Sequence, residues 1–167
     1  MVSIPHPDKM FISVNCAIIT VSDSRTVVND KSGQIIQELL IKSGHKIVNY
    51  IIIKDNKELI EITLKNIAKN DNVHCLIFNG GTGISNRDHT YDVLANLLDK
   101  TLSGFGEIFR FLSYQEIGSR AIASRALAGV YQGKLVFSLP GSTGAVKLGL
   151  EKLILPELNH LWTQINN

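Results

Sequence analysis

Cysteine pairs, metal-spaced histidines, long apolar runs and clustered charge are all missing from this chain, and each absence removes a class of protein. Only two cysteines occur in 167 residues, too few for a disulfide framework. Both sit in apolar strand-like runs, "VNCAIITV" and "VHCLIFN", where a free thiol acts as a small hydrophobe. The five histidines, at 6, 45, 74, 89 and 160, show neither paired spacing nor cysteine neighbours suited to zinc. His74 is expected in the core or at a strand edge, and His89 alone stands near the candidate site. No stretch approaches the ~20 apolar residues of a membrane span, and "MVSIPHPDKMFIS" lacks the apolar core of a signal peptide. A cytoplasmic protein without a membrane partner is expected. Seventeen basic residues face fifteen acidic ones for a net charge of +2, with the signs interspersed. Nucleic acid is therefore not an expected partner. A Walker loop and the Gly-x-Ser-x-Gly elbow of serine hydrolases are also absent.

What remains is an ordinary globular makeup, 44% hydrophobic and 19% charged, long enough for one full core without staples. Residues 1–12 read as a loosely held N-terminal arm and 13–167 as a single domain. The run 14–21 is nearly unbroken and β-branched, the pattern of a strand buried on both faces. A helix follows, with Ile35, Ile36, Leu39 and Leu40 at helical spacing, Ser32 as candidate cap and Gly44 as its stop. A strand over 46–53, a helix carrying Ile60, Leu64, Ile67 and Ala68, and a strand over 73–79 continue the alternation. "TYDVLANLLDK" reads as a helix. "GEIFRFLSYQEIGSRAIASRALAG" reads as one or two more, interrupted near Gly118. The last strand spans 134–140, and two terminal helices follow, the second beginning at Pro156. This alternation predicts a three-layer α/β/α sandwich around a mostly parallel, Rossmann-like sheet.

In such a sheet ligands bind outside the carboxyl ends of the strands, so the residues after each strand carry the functional argument. Four such turns are present: "SDSR" (22–25), "KD" (54–55), "NGGTGISNRD" (79–88) and "PGST" (140–143). Gly80, Gly81 and Gly83 allow positive φ and a close backbone approach to an anion or a planar polar ring. "PGST" puts Gly141, Ser142 and Thr143 at a helix start, where free N–H groups favour a phosphate. Asp88 and Asp55 are each readable as helix caps, Asp55 forming a capping-box pattern with Glu58. Placed on one sheet edge with a glycine loop, the same two carboxylates suit a Mg²⁺ ion carrying nucleotide phosphates. Arg87 is then positioned to pair with phosphate or with Asp88. Ser22, Asp23 and Arg25 read either as a turn capping the next helix or as a polar rim.

Taken in order, "TVSDSR", the aspartate after the second strand, "NGGTGISNRDHT", "GFGEIFRFLS", "SRALAG" and "LPGS" resemble the molybdenum cofactor biosynthesis protein B (MoaB) family. The resemblance spans about 13–160. It implies a molybdopterin-binding α/β fold, shared with the MogA adenylyltransferase and one domain of gephyrin, assembled as a homotrimer or homohexamer. It also implies catalytic and Mg²⁺-holding roles for Asp55 and Asp88, with AMP passing from ATP to the terminal phosphate of molybdopterin. Pterin and nucleotide contacts would fall on Ser22, Asp23, Gly80, Gly81, Thr82, Gly83, Arg87, Thr90, Pro140, Gly141 and Ser142. The alternative of a non-catalytic pterin carrier keeps the same pocket. Phe105, Ile108, Phe109 and Phe111 give "GFGEIFRFLS" an apolar face that reads as core packing; the alternative is that Glu107 and Arg110 face the pocket or a neighbouring subunit, and with the alanines of "SRAIASRALAG" the region is expected to meet a partner chain.

Overall fold

The computed structural model describes residues 10–166. Its strands are β1 (Asn15–Val21), β2 (Lys46–Ile53), β3 (Cys75–Asn79), β4 (Lys100–Thr101), β5 (Leu127–Tyr131) and β6 (Lys134–Leu139). The helices are α1 (Lys31–Lys42), α2 (Lys57–Ala68), α3 (Thr90–Leu97), α4 (Ser103–Ile117), α5 (Thr143–Gly149) and α6 (Leu155–Ile165). The six strands form one sheet in the order β2-β1-β3-β6-β5-β4. β2, β1, β3 and β6 run parallel, whereas β5 and β4 add an antiparallel edge. The chain leaves β1 for β2 on one side and returns to β3 on the other, so the strand order reverses between β1 and β3. Ligand crevices open at such a point.

Period-two alternation splits the strands between two cores. Cys16, Ile18, Cys75, Ile77, Leu135 and Phe137 face α1, α4, α5 and α6, with Ile36, Leu40, Phe109, Val146 and Leu158 closing that layer. Ala17, Ile19, Leu76, Phe78 and Val136 face α2 and α3, against Ile60, Leu64 and Leu94. The result is the three-layer architecture the sequence implies. Cys16 and Cys75 are partners in the β1–β3 register. Both are free and fully buried, and burial together with a bond to Cys16 raises the Cys75 thiol well above its usual range.

Several local expectations need correction. Residues 127–129, read as the end of an alanine-rich helix, belong instead to β5. Gln132 (φ 46°) and Gly133 (φ 73°) turn the chain in two residues into β6, the mirror-type turn whose twist matches a hairpin. Gly118 does end α4, at φ 64°, but a 3-10 turn, Gly118–Ala123, follows rather than another helix. Pro156 stands in the first turn of α6, as expected, but no break precedes it: α5 runs into α6 through a π-type turn, Leu150–Ile154. Widened bonding there accommodates a residue with no N–H to give. Ser32 is not the cap of α1. Asp30 is, its side chain accepting from Gly33 N. Of the proposed arm, residues 1–9 lie outside the described residues. Positions 10–12 are tied to α6, Ile12 N donating to Asn159 Oδ1 (2.7 Å) and Asn159 Nδ2 to Met10 O (3.2 Å). Among the described residues no helix is long and apolar enough to cross a membrane.

The start of the central strand is fastened by two histidines. Val14 N donates to His45 Nδ1 (3.2 Å), and Asn15 N donates to His74 Nδ1 (3.1 Å). His45 precedes β2 and His74 precedes β3, so both neighbours of β1 hold its entry. Burial lowers the pKa of each, and the Lys134 charge lowers that of His74 further. Protonation of Nδ1 would also remove the acceptor. The unfolded chain therefore binds more protons just below the ordinary histidine pKa, and stability falls as pH drops through that range. Denaturant midpoints between pH 7 and 5 should show a loss on the order of 1 kcal/mol, after allowance for the partial exposure of His74. The His45→Gln, His74→Gln double variant should flatten that slope; an unchanged slope would contradict this assignment.

Candidate functional site

At the reversal point the carboxyl ends of β1, β3 and β6 surround a cavity of about 470 Å³. Val21, Ser22, Ser24 and Arg25 supply one wall, and Gly80 to Gly83 with Asp88 another. Pro140 and Gly141 close the third side, while Arg120, Ala123 and Ser124 arrive from the 3-10 turn after α4. The glycines are required by space as well as by φ. A Cβ on Gly80 (φ 97°) would strike Val21 O, and one on Gly141 would lie 3.0 Å from Gly80 Cα. Gly81 (φ 65°) has no room either, because Asp55 Oδ2 and Thr90 Oγ1 occupy that position. Any side chain here would clash and would also be strained.

Thr90 N donates to Gly81 O (2.9 Å), tying this loop to α3, and His89 N donates to Asp55 Oδ1 (3.0 Å), tying the end of β2 to the same helix start. Asp55 is therefore not the cap of α2, a role taken by Asn56, whose side chain accepts from Leu59 N. It instead spans from the end of β2 to the start of α3. Nor does Asp88 cap α3; its carboxylate accepts from Ser85 N (3.1 Å) within the loop and faces the cavity. Asp55 N donates to Asp23 Oδ1 (3.2 Å), and Arg87 Nη2 pairs with Asp23 Oδ2 (2.5 Å). Arg87 thus engages Asp23 rather than Asp88. Thr90 Oγ1 and Asn79 Oδ1 are buried without a hydrogen-bond partner in the structure.

Of the residues singled out from sequence, Ser22, Gly80, Gly81, Thr82, Gly83, Asp88, Pro140 and Gly141 line the cavity. Asp23, Asp55, Arg87, Thr90 and Ser142 are not among its lining residues. Ser142 caps α5, its Oγ accepting from Ala145 N (3.2 Å). Ser24, Arg120, Ala123 and Ser124 were not anticipated. Ser24 follows directly from the β1 turn, but nothing local in "GSRAIAS" indicates that it folds back over the sheet edge. Tyr91 does not face the cavity; its ring carries the Arg125 guanidinium at 4.4 Å, and Arg125 pairs with Asp92 at 2.6 Å.

Electrostatically the cavity is divided. Arg25 and Arg120 stand on its lining, while Asp88 is backed by Asp55 and Asp23. Desolvation raises the Asp55 pKa, opposed by the His89 N–H bond, and the Asp88 and Asp23 charges raise it further. No group of three or more His, Cys, Asp or Glu among the described residues is placed to hold a metal unaided. Mg²⁺ commonly takes one or two carboxylates and completes its shell with water and substrate phosphate. Asp88 on the cavity wall and Asp55, whose ionisation the Asp88 charge opposes, are the carboxylates available for that arrangement.

Glycine walls, a helix start after "PG" and opposed charges define a class: an α/β domain shaped for a phosphate-bearing ligand at its strand ends. A family model described as a probable molybdopterin binding domain matches residues 17–160. Molybdenum cofactor biosynthesis protein B of Halalkalibacterium halodurans is 51% identical over 154 residues, covering 92% of this chain and 91% of that one. A crystal structure of a molybdenum cofactor biosynthesis protein B superposes with a TM-score of 0.91 at 49% identity, over 93% of this chain and 97% of that one. The tungsten cofactor synthesizing protein MoaB of Pyrococcus furiosus gives 0.84 at 39% identity, over 93% and 98%. The chain belongs to the molybdenum cofactor biosynthesis protein B family of molybdopterin-binding domains.

An ionised group whose folded pKa is raised costs stability once the pH exceeds that pKa. At neutral pH Asp55 therefore weakens the fold it helps to tie, and an amide oxygen would still accept from His89 N. Asp55→Asn should leave the melting temperature at pH 7 unchanged or raise it by about 1–3 °C, with the difference shrinking toward pH 4. A clear loss of stability, read by differential scanning fluorimetry, would make Asp55 a purely structural tie.

Proposed function

We propose that the chain binds molybdopterin in this cavity and adenylates it with ATP. An oxygen of the pterin's terminal phosphate would attack the α-phosphorus of ATP, forming a P–O bond as the bond to the β-phosphate oxygen breaks. Adenylated molybdopterin and pyrophosphate result. No protein nucleophile is needed, so the chain's own task is positioning and neutralisation of charge. Backbone around Gly80, Gly81 and Gly83 can meet a flat pterin or a phosphate without side chains intervening. Asp88 and Asp55 would hold Mg²⁺, which when bound neutralises nucleotide phosphate charge. The observation that carries the proposal is Asp88 on the cavity wall with two further carboxylates behind it, an excess of negative charge that a site for an anion alone does not need.

A second reading, a pterin carrier without turnover, draws on one specific observation: Asp55 lies off the cavity lining and already accepts a backbone hydrogen bond. The two readings separate in an assay of AMP transfer from Mg-ATP to molybdopterin. The adenylation reading expects Asp88→Asn to lower kcat/KM by about 10²–10³-fold and Asp55→Asn by at least about tenfold, with pterin affinity retained. A wild type that binds pterin and never consumes ATP would leave the carrier.

We further propose that α4 meets other copies of the chain, in a trimer or hexamer. Ile108, Phe111, Tyr114 and Ile117 are each at least 50% exposed along that helix, and Ile122 is 85% exposed just beyond it. An apolar hollow of about 420 Å³, lined by Phe105, Ile108, Leu153 and Leu161 among others, lies beside them. So much exposed apolar surface on one helix marks an interface. Sedimentation velocity should give an oligomer that Phe111→Lys dissociates; a wild-type monomer would refute the assembly.

A further inference from the structure

Behind the cavity wall lies a buried anion with no part in the chemistry above. Asp30, the residue before α1, is fully buried, and four groups converge on its carboxylate. Thr20 Oγ1 donates at 2.5 Å, Tyr50 OH at 2.7 Å, Gly33 N at 3.0 Å and Arg25 Nη1 at 3.3 Å. Gly33 is glycine because a Cβ would meet Asp30 Oδ2 and stand 2.9 Å from Tyr50 OH. Burial and the bond to Asp30 push the Tyr50 hydroxyl above its usual range, so it remains a donor. A buried carboxylate survives only when paired and fully hydrogen-bonded, and Arg25 is the partner that carries the opposite charge.

Arg25 is held at its other end as well. Its Nη2 donates to Gly141 O (2.7 Å), and Ser32 Oγ donates to the same carbonyl (2.7 Å). Gly141 and Arg25 both line the cavity. A bare carbonyl oxygen on that wall would repel an anion, and two donors occupy its lone pairs instead. A guanidinium has five N–H groups in a rigid plane. With one bond fixing Nη1 and another fixing Nη2, its orientation is set, and the remaining N–H groups are free for a ligand. The Arg25 side chain is 30% exposed, so one side of it reaches the cavity.

We propose that Arg25 binds a phosphate group of the ligand in this cavity, and that Asp30, which touches no ligand, is the residue that positions it. The inference rests on the reading that the cavity takes a phosphate-bearing ligand. That phosphate has two possible sources, the terminal phosphate of the pterin or the phosphates of the nucleotide, and separate titrations distinguish them. Ser32 and Tyr50 then serve the same end, one sharing the Gly141 carbonyl and the other holding Asp30 in place.

Calorimetric titration of molybdopterin and, separately, of Mg-ATP into wild type, Arg25→Gln, Arg25→Lys, Asp30→Asn and the Arg25→Gln, Asp30→Asn double variant tests both roles. Loss of a charge-assisted, oriented contact should weaken one of the two ligands by about ten- to a hundredfold in Arg25→Gln. Lysine should not restore it, since it cannot bridge Asp30, Gly141 and the ligand together. Asp30→Asn should weaken the same ligand by about three- to tenfold, and the double variant should be no weaker than Arg25→Gln, because Asp30 acts through Arg25. General damage to the fold would lower both affinities together and additively. Arg25→Gln alone keeps the proposal falsifiable even if Asp30→Asn fails to fold. Wild-type affinity of Arg25→Gln for both ligands would overturn it, as would a wild type that binds neither. ATP consumption plays no part in this readout, so absence of turnover would refute adenylation and leave the assignment of Arg25 standing.

Discussion

The site depends on backbone meeting backbone with no Cβ between. Gly80 N donates to Leu139 O at 3.0 Å, its Cα faces Val21 O, and Gly141 closes on it from β6. These contacts draw the ends of three parallel strands together where the strand order reverses. A side chain at Gly80 or Gly141 would force those ends apart, and the φ of 97° at Gly80 is one that L side chains rarely adopt. Close convergence brings three loops, far apart in sequence, onto one cavity. A parallel sheet makes this possible because each crossover returns the chain to the same edge.

Around that frame the charges sort by side. Asp88, Asp55 and Asp23 gather where β2 ends and α3 begins, while Arg25 and Arg120 approach from the β1 turn and from the segment after α4. The Arg87–Asp23 pair bridges two loops at the rim. With Arg87 79% exposed it contributes little to stability, so its significance lies in which groups it occupies. The Asp30 cluster is the opposite case. It is buried, fully satisfied and costly to break, and it sets the geometry of the one arginine that links the β1 turn to the β6 turn. Under the proposed roles of Arg25 and Asp55, stability and recognition are coupled there, whereas at Asp55 they are opposed.

Much of this was legible in the chain itself. Short apolar runs at 14–21, 46–53 and 134–140 mark the parallel strands, and glycines after strands mark the turns that meet. The helix over 119–128 was misread because "SRAIASRALAG" is rich in alanine, a strong helix former. Pairing with β6 through the Gln132–Gly133 turn overrides that propensity. Asp55 and Asp88 were placed on the right edge, but their local cap patterns concealed that Asn56 caps α2 and that Asp55 reaches across to His89. Arg120 and Asp30 could not be found from spacing. Arg120 reaches the cavity only because Gly118 ends α4 and a 3-10 turn folds back, and the role of Asp30 requires Tyr50, twenty residues on, to be a neighbour. Tertiary proximity of this kind leaves no periodic trace in sequence.

The measurement that bears most directly on the account is a crystal structure of the chain soaked with molybdopterin. Density between the Gly80–Gly83 loop and the Pro140–Gly141 turn, with phosphate against the arginine side and Asp88 across from it, is the result expected. Pterin density in the apolar hollow beside α4, with the glycine-walled cavity holding only water, would contradict it.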